Sequence, residues 1–405
     1  MAFIEKSGKN RWRVRYWTHD GTHRSISGFP TKKAAENKAR DIDTDQHRGN
    51  FTDPQSGKIP LQEWCEPWTE ALDVTTNTEN QYRSLLRNHI LPRWGNIHLG
   101  DIDGIAVQSW LKGLRKQGYA HATVESITKV LSMMLTDACW ERRITTNPIR
   151  PARRGRKRRT PRTEALWASP HEVLRIALHA AALTGPWAGV LILTAAYTGA
   201  RWGELAGLQR HNLDLDTGHI IIDPEHGALH EVNGTLTLGP PKTEESARTI
   251  SLPPFLTKLL HAHLGTHTHP NVFVTGHGEL LRRSNFARRA MRPATDGNHN
   301  HPNPTPPVEP VRPGLTFHGL RHSHKTWMIA DHTPPVAQAR RLGHILADKI
   351  EHTYSHVAEE VDTRLLNALQ RRWERSLSAL EESTTRAGNN PLTLTITNTE
   401  PHDMR

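Results

Sequence analysis

Only two cysteines, Cys65 and Cys139, occur in 405 residues. Two thiols cannot build a disulfide framework or a cysteine-rich zinc site. No run of roughly 18 apolar residues is present, so no membrane-spanning helix is expected. The opening Met1-Ala2-Phe3-Ile4-Glu5-Lys6 lacks the apolar stretch of a secretory signal. Neither a basic amphipathic helix nor a lipidation motif offers a hold on a membrane surface. Acidic residues are outnumbered: 41 Asp and Glu against 52 Lys and Arg, a formal net charge of +11. These absences predict a cytoplasmic protein, with no membrane partner, whose surplus cations need an anionic one. Nucleic acid fits, because phosphates attract Lys and Arg along their whole length. At 36% hydrophobic residues the chain can form compact cores, and its length suggests two or three domains.

In residues 1–55, Arg11-Trp12-Arg13-Val14-Arg15-Tyr16-Trp17 alternates cationic and apolar residues at period two, the strand pattern. Asp20-Gly21 reads as a turn, Thr22 to Ser27 as the return strand, and Thr31 as a helix start. Arg11, Arg13 and Arg15 then share one face. That face is either a solvated hairpin surface or a sheet that enters a DNA groove. Residues 59–150 read as helical. One helix begins at Leu61, one is capped by Thr78 and broken by Pro92 and Gly95, one starts at Asp103, and one runs from about Thr123 to Trp140. Their apolar stripes are core-facing. Residues 151–164 form a basic linker containing Arg153, Arg154, Arg156, Lys157, Arg158 and Arg159, suited either to a solvated tether or to lying along phosphates.

Residues 165–382 mix helices and short strands, which makes the whole chain mainly α with small β-sheets, an α+β class. Ser169 caps a helix, residues 187–197 form a strongly apolar one, and three short β runs follow. Residues 293–313, rich in Pro, Asn and His, read as a long insertion loop. Residues 383–405 read as a disordered polar tail.

Four clusters in this region carry chemistry. Thr198-Gly199-Ala200-Arg201-Trp202-Gly203-Glu204 places an arginine at a helix start beside a glycine turn. Pro240-Pro241-Lys242-Thr243, followed by Ser246-Ala247-Arg248-Thr249, is flanked by strands and puts Lys242 on a hairpin tip. His318-Gly319-Leu320-Arg321 sets His318 and Arg321 on one helix face. Leu342-Gly343-His344 precedes Tyr354 by ten residues, counted from His344. Two guanidiniums match the non-bridging oxygens of a phosphodiester. A phenol is a nucleophile once deprotonated, a histidine can take its proton, and a lysine can protonate the departing alkoxide. The set acts without a metal or other cofactor.

In this order and spacing, the clusters resemble the tyrosine recombinases, or phage-type integrases, over nearly the whole chain. The resemblance implies Tyr354 as nucleophile, Arg201 and Arg321 on the scissile phosphate, Lys242 as general acid, His318 and His344 as the site histidines, and Glu204 as support. It also implies an N-terminal three-stranded-sheet arm-binding domain, a helical SAM-like core-binding domain and a mixed α/β catalytic domain. A bacterial, DNA-associated protein is implied, acting as a homotetramer on double-stranded DNA with core-type and arm-type sites. A DNA-bending protein and an excision factor are its implied accessory partners. Integration and excision of a prophage or related mobile element is the implied role.

Simpler readings compete residue by residue. Arg201 could be a plain salt-bridge partner of Glu204. His318 and His322 at i, i+4 could begin a zinc site but have no clear third ligand. His261, His263, His267 and His269 read as solvated. Val361, Leu365, Leu366, Leu369, Trp373, Leu377 and Leu380 form an apolar stripe that either packs in its own subunit or docks on a neighbour. A topoisomerase using the same tyrosine chemistry and a non-catalytic DNA-binding regulator are the alternatives.

Overall fold

Period-two alternation in Arg11–Trp17 (β2) sends Val14 and Tyr16 to one side, where both are fully buried. β2 is the middle strand of an antiparallel sheet with Phe3–Gly8 (β1) and His23–Phe29 (β3). Helix α1 (Lys32–His47) closes that side with Ala35, Ala39 and Ile42. Its cap is Thr31, whose hydroxyl accepts the Ala34 N–H at 3.2 Å. The computed structural model describes residues 2–18, 21–49, 51–53, 55–149, 164–302, 306–344 and 357–387, with backbone alone for 383–387. The chain divides into two compact units, Met1–Arg159 and Thr160–Arg405.

The rest of the first unit is helical: α2 (Leu61–Glu70), α3 (Thr76–Leu85), α4 (Leu91–Trp94), α5 (Gly104–Lys116) and α6 (His121–Trp140). Their stripes form a second core, in which Trp64 donates to the Met134 carbonyl at 3.1 Å and Trp68 to Asp137 at 2.6 Å. Asp103 caps α5 through the Ala106 N–H. Two expectations shift. Thr75, not Thr78, precedes α3, and the two hydroxyls bond each other at 2.9 Å. Pro92 does not end the helix, because a π turn over Leu86–Ile90 widens the spiral, and the missing Pro92 N–H falls in the first turn of α4.

In the second unit, Ser169 and Glu172 cap α7 (Pro170–Thr184) reciprocally, at 3.2 and 2.7 Å. Helix α8 (Pro186–Thr198) is buried on all sides from Ala188 onward, as its uniformly apolar sequence requires. Around it lie α9 (Trp202–Ala206), β4 (Leu213–Asp214), β5 (His219–Ile222), β6 (Ala228–Val232), β7 (Thr235–Gly239), β8 (Arg248–Ser251) and α10 (Pro254–Leu264). Then come α11 (Arg283–Phe286), α12 (Arg292–Asp296), α13 (Phe317–Ala330), α14 (Pro335–Leu342) and a long helix, Glu359–Ala387. Strands β4, β5 and β8 form one sheet and β6 and β7 another.

Three further expectations change here, and one open alternative narrows. The 293–313 segment begins helical, in α12, and its loop is fastened internally: Asn298 donates to the Pro306 carbonyl at 2.8 Å and accepts the Val308 N–H at 2.9 Å. The apolar stripe of the long helix serves its own subunit, since Leu365, Leu369 and Trp373 are buried and Trp373 stacks on Phe255 at 4.3 Å. That helix also runs to Ala387, past the expected start of the tail. The histidines in the last turn of α10 and just beyond it are partly structural. His263 is buried and bonds the Val272 carbonyl at 2.8 Å, and Arg210 donates to the His269 carbonyl at 2.8 Å.

Candidate active site

Helix α8 stops at Gly199, whose φ of +67° favours glycine and whose position leaves no room for a Cβ, 2.6 Å from the Leu342 side chain. Two residues later Arg201 occupies the N-cap position of α9. Glu204 accepts the Arg201 backbone N–H at 2.8 Å, the acidic half of a capping box. An arginine has no acceptor to return the bond, so its side chain is used otherwise. It donates to Glu204 at 2.7 Å, to the Ser246 hydroxyl at 2.8 Å and to the Gly343 carbonyl at 3.1 Å.

Arg321 comes from α13, whose first turn is capped by Thr316. Its guanidinium is buried and donates to the Gly199 carbonyl at 2.6 Å, to the Leu342 carbonyl, and to His344 Nε2 at 2.7 Å. Because a guanidinium can only donate, Nε2 of His344 accepts, and geometry assigns the neutral ring's proton to Nδ1. Helix α14 ends at Gly343 with φ +61°, where a Cβ would lie 2.8 Å from the Glu245 carbonyl oxygen and 3.0 Å from Ser246 Cα. The Leu-Gly-His turn is therefore pressed against the segment that leads out of the lysine loop. His318 is exposed at the start of α13, edge-on to His322 at 5.0 Å.

Lys242 is not on a hairpin tip. β7 pairs with β6 and β8 with β5, so Lys242 lies in the crossover between two sheets. The crossover is held on both sides of the lysine: the Pro240 carbonyl pairs with His230 Nε2 at 2.8 Å, and the Thr243 hydroxyl pairs with that of Ser246 at 3.0 Å. Ser246 in turn holds Arg201. The Lys242 side chain is exposed and, among the described residues, makes no hydrogen bond or ion pair.

The electrostatics are lopsided. Arg201 and Arg248 both bond Glu204, Arg321 lies within electrostatic reach of it, and Arg341 lies within reach of Arg248 and Asp362. Burial, then Arg201 and Arg248, push Arg321 down to about 9. Burial, then Arg321 and Arg201, push His344 down to about 4. His318 is lowered as well, by burial and then by His322 and Arg321. Burial alone would raise Glu204, but Arg248 and Arg201 hold it below the usual carboxylate range. At neutral pH the site thus presents charged guanidiniums, neutral imidazoles and too little negative charge, which is an anion-binding arrangement.

Arg201, Glu204, Arg321 and His344 are thus brought together, with Lys242 on an adjoining loop and His318 within electrostatic reach. Tyr354 and the linker residues Arg153, Arg154, Arg156, Lys157, Arg158 and Arg159 lie outside the described residues. On the N-terminal sheet, Arg13 and Arg15 occupy the side away from Val14 and Tyr16 as expected. Glu5 on β1 partly offsets them, 2.7 Å from Arg13 and 3.6 Å from Arg15. Sequence reasoning missed the part of Arg248 and Arg341, which stood in view inside or beside the second and fourth clusters. It also passed over the exposed Arg283, Arg288 and Arg289, a visible arginine run, of which Arg283 helps lower His318.

Residues 167–360 match the phage integrase family, and residues 61–115 match the phage integrase N-terminal SAM-like domain. A prophage phiRv2 integrase of Mycobacterium tuberculosis is 26% identical over 385 residues, 91% of this chain and 94% of that protein. The integrase of Mycobacterium phage L5 is 24% identical over 320 residues, 77% of this chain and 79% of that one. Among solved structures, the Tn1549 transposon integrase in complex with a circular intermediate DNA aligns with a TM-score of 0.58 at 17% identity, covering 77% of this chain and all but 1% of that one (99%). A lambda integrase tetramer bound to a Holliday junction aligns at 0.51 and 18%, covering 88% of this chain and 98% of that one. At these identities the structural likeness is one of fold.

Proposed function

Because the chain belongs to the phage integrase family of tyrosine recombinases, site-specific enzymes that break and rejoin DNA, we propose that Tyr354 attacks a phosphodiester clamped by Arg201 and Arg321. The observation that carries this reading is the pair of guanidiniums held on consecutive carbonyls in a site short of negative charge. A scissile phosphate supplies the missing charge, and the N–H groups not used on the protein meet its non-bridging oxygens. His318, neutral and exposed, takes the phenolic proton, since the Nε2 lone pair of His344 is already engaged by Arg321. The new bond joins the Tyr354 oxygen to phosphorus, and the bond from phosphorus to the 5′ oxygen breaks. Lys242 delivers a proton to that oxygen, leaving a 5′-hydroxyl and a 3′-phosphotyrosine. A 5′-hydroxyl from a partner strand reverses the step. One phosphodiester is exchanged for another, so no nucleotide cofactor is consumed.

In this reading residues 1–55 bind arm-type sites through Arg11, Arg13 and Arg15, and residues 59–150 bind core-type sites. Arg153, Arg154, Arg156, Lys157, Arg158 and Arg159 follow phosphates between domains. Four copies act on two duplexes in the integration and excision of a prophage or related element, assisted by a DNA-bending protein and an excision factor. A nicked duplex carrying the junction that flanks the gene tests this. In EDTA, the protein should form a denaturation-resistant adduct, and R201A and R321A should each slow it by about 10²–10³-fold. Cleavage without an adduct, or cleavage abolished by EDTA, contradicts the proposal.

A further inference from the structure

Glu204 is 2% exposed and accepts from two arginines at once. One is Arg201, assigned above to the phosphate. The other, Arg248, opens β8 with its side chain 5% exposed. Its NH2 and NH1 reach the two oxygens of Glu204 at 3.0 and 3.2 Å. NH1 also donates to the Ser246 carbonyl at 2.6 Å, and Nε to the Arg341 carbonyl at 2.8 Å. One guanidinium therefore links the Arg201 elbow, the segment after Lys242, and the helix that leads into Gly343 and His344.

The charge arithmetic gives that link a purpose. A buried carboxylate paired with Arg201 alone would orient it but cancel the charge it brings to the phosphate. With Arg248 on the far side, Glu204 is already neutralised and Arg201 keeps a net charge. We propose that Arg248 is a positioning residue that holds Glu204 and offsets its charge, so that Glu204 aims Arg201 without disarming it. This rests on Arg201 being a phosphate ligand.

The test uses the full-length protein on two nicked duplexes, one with an ordinary scissile phosphate and one with an uncharged methylphosphonate at that position. Variants whose melting shows them folded are compared. R248M should cleave the phosphodiester about 10- to 100-fold more slowly, yet lose only about threefold on the methylphosphonate, which has no charge to balance. Adding E204Q to R248M should recover about threefold or more on the phosphodiester, because the uncompensated carboxylate is gone. R248K, which keeps the charge but not the fork, should fall between R248M and wild type. Equal losses on both substrates, or a double variant slower than R248M, would show Arg248 to be a packing residue and overturn the proposal. If R248M does not fold, R248Q, which keeps donors and drops the charge, is compared on the same two substrates with the same criteria. Unimpaired R248M beside an inactive R201A sinks the role of Arg248 alone. Unimpaired R201A sinks the functional reading beneath it.

Discussion

Arg201 and Arg321, from separate helices, donate to the consecutive carbonyls of Gly343 and Leu342. The turn that carries His344 is thus the common anchor of both guanidiniums. It can serve only if the backbone at Gly343 takes the left-handed conformation and lies against Ser246.

Gly343→Ala should disturb that anchor. A left-handed alanine costs about 1–2 kcal/mol, and its Cβ crowds the Glu245 carbonyl at 2.8 Å. Melting should drop by roughly 2–8 °C, at about 2–4 °C per kcal/mol for a domain of this size. Adduct formation should fall further than the melting shift explains. A variant with normal melting and normal cleavage would contradict the anchoring role.

Stability should decline with acid over the histidine range. His263, His318, His324 and His344 are all lowered, chiefly by burial. For such groups the unfolded chain binds protons more readily, so their contribution is complete above the ordinary value of about 6.5 and is lost as pH falls toward the folded values. For His344 that window runs from about 6.5 down to about 4. Melting temperature followed from pH 8 to pH 5 should be flat at first and then fall. A rise on acidification would contradict the lowered values of these histidines.

Lys242 as general acid makes a separable expectation. Lys242→Ala should lose about 10²–10⁴-fold on an ordinary duplex. A duplex with sulfur at the 5′ bridging position releases a thiolate, which leaves without protonation, the unperturbed thiol value being about 8.5. The variant should cleave it nearly as fast as wild type, and R201A should not. Equal impairment on both duplexes would move the acid to His318 or His344.

The long helix should prove indispensable to its own subunit. Trp373→Ala removes the partner of Phe255 and should cost about 3–5 kcal/mol. Truncation after Ala358 should therefore unfold the second unit rather than merely block assembly. Circular dichroism of the truncated protein decides this: a native-like melt would return the helix to a docking role.

The N-terminal sheet gives a milder case. Glu5→Gln frees Arg13 and Arg15 from their carboxylate, and the log–log salt slope of DNA binding should steepen by about 1. An unchanged slope means those arginines do not meet phosphates.

Local chemistry was readable in advance where it is contained within a few residues. Thr31, Asp103 and Ser169 announce helix starts because a cap and its target are near neighbours in sequence. Arg201, His318 and Arg321 stand out in the sequence because each sits in a compact motif. The place of Lys242 was misjudged because β7, before it, already closes a hairpin with β6 across Asn233-Gly234, while β8, after it, pairs with β5, a partner that no local pattern names. Arg248 was passed over for the same reason. Its acceptors, Glu204 and the Arg341 carbonyl, meet it only in the folded chain. The apolar stripe of the long helix was legible as a stripe, but what it covers is a tertiary fact.

The identity of the nucleophile is the central claim. Wild-type protein and Tyr354→Phe should be incubated with the same nicked duplex, denatured, and digested, and the DNA-linked peptide identified by mass spectrometry. The account expects DNA binding by both proteins, an adduct only with wild type, and a nucleotide remnant on Tyr354. An adduct with the phenylalanine variant, or a remnant on any other residue, would contradict it.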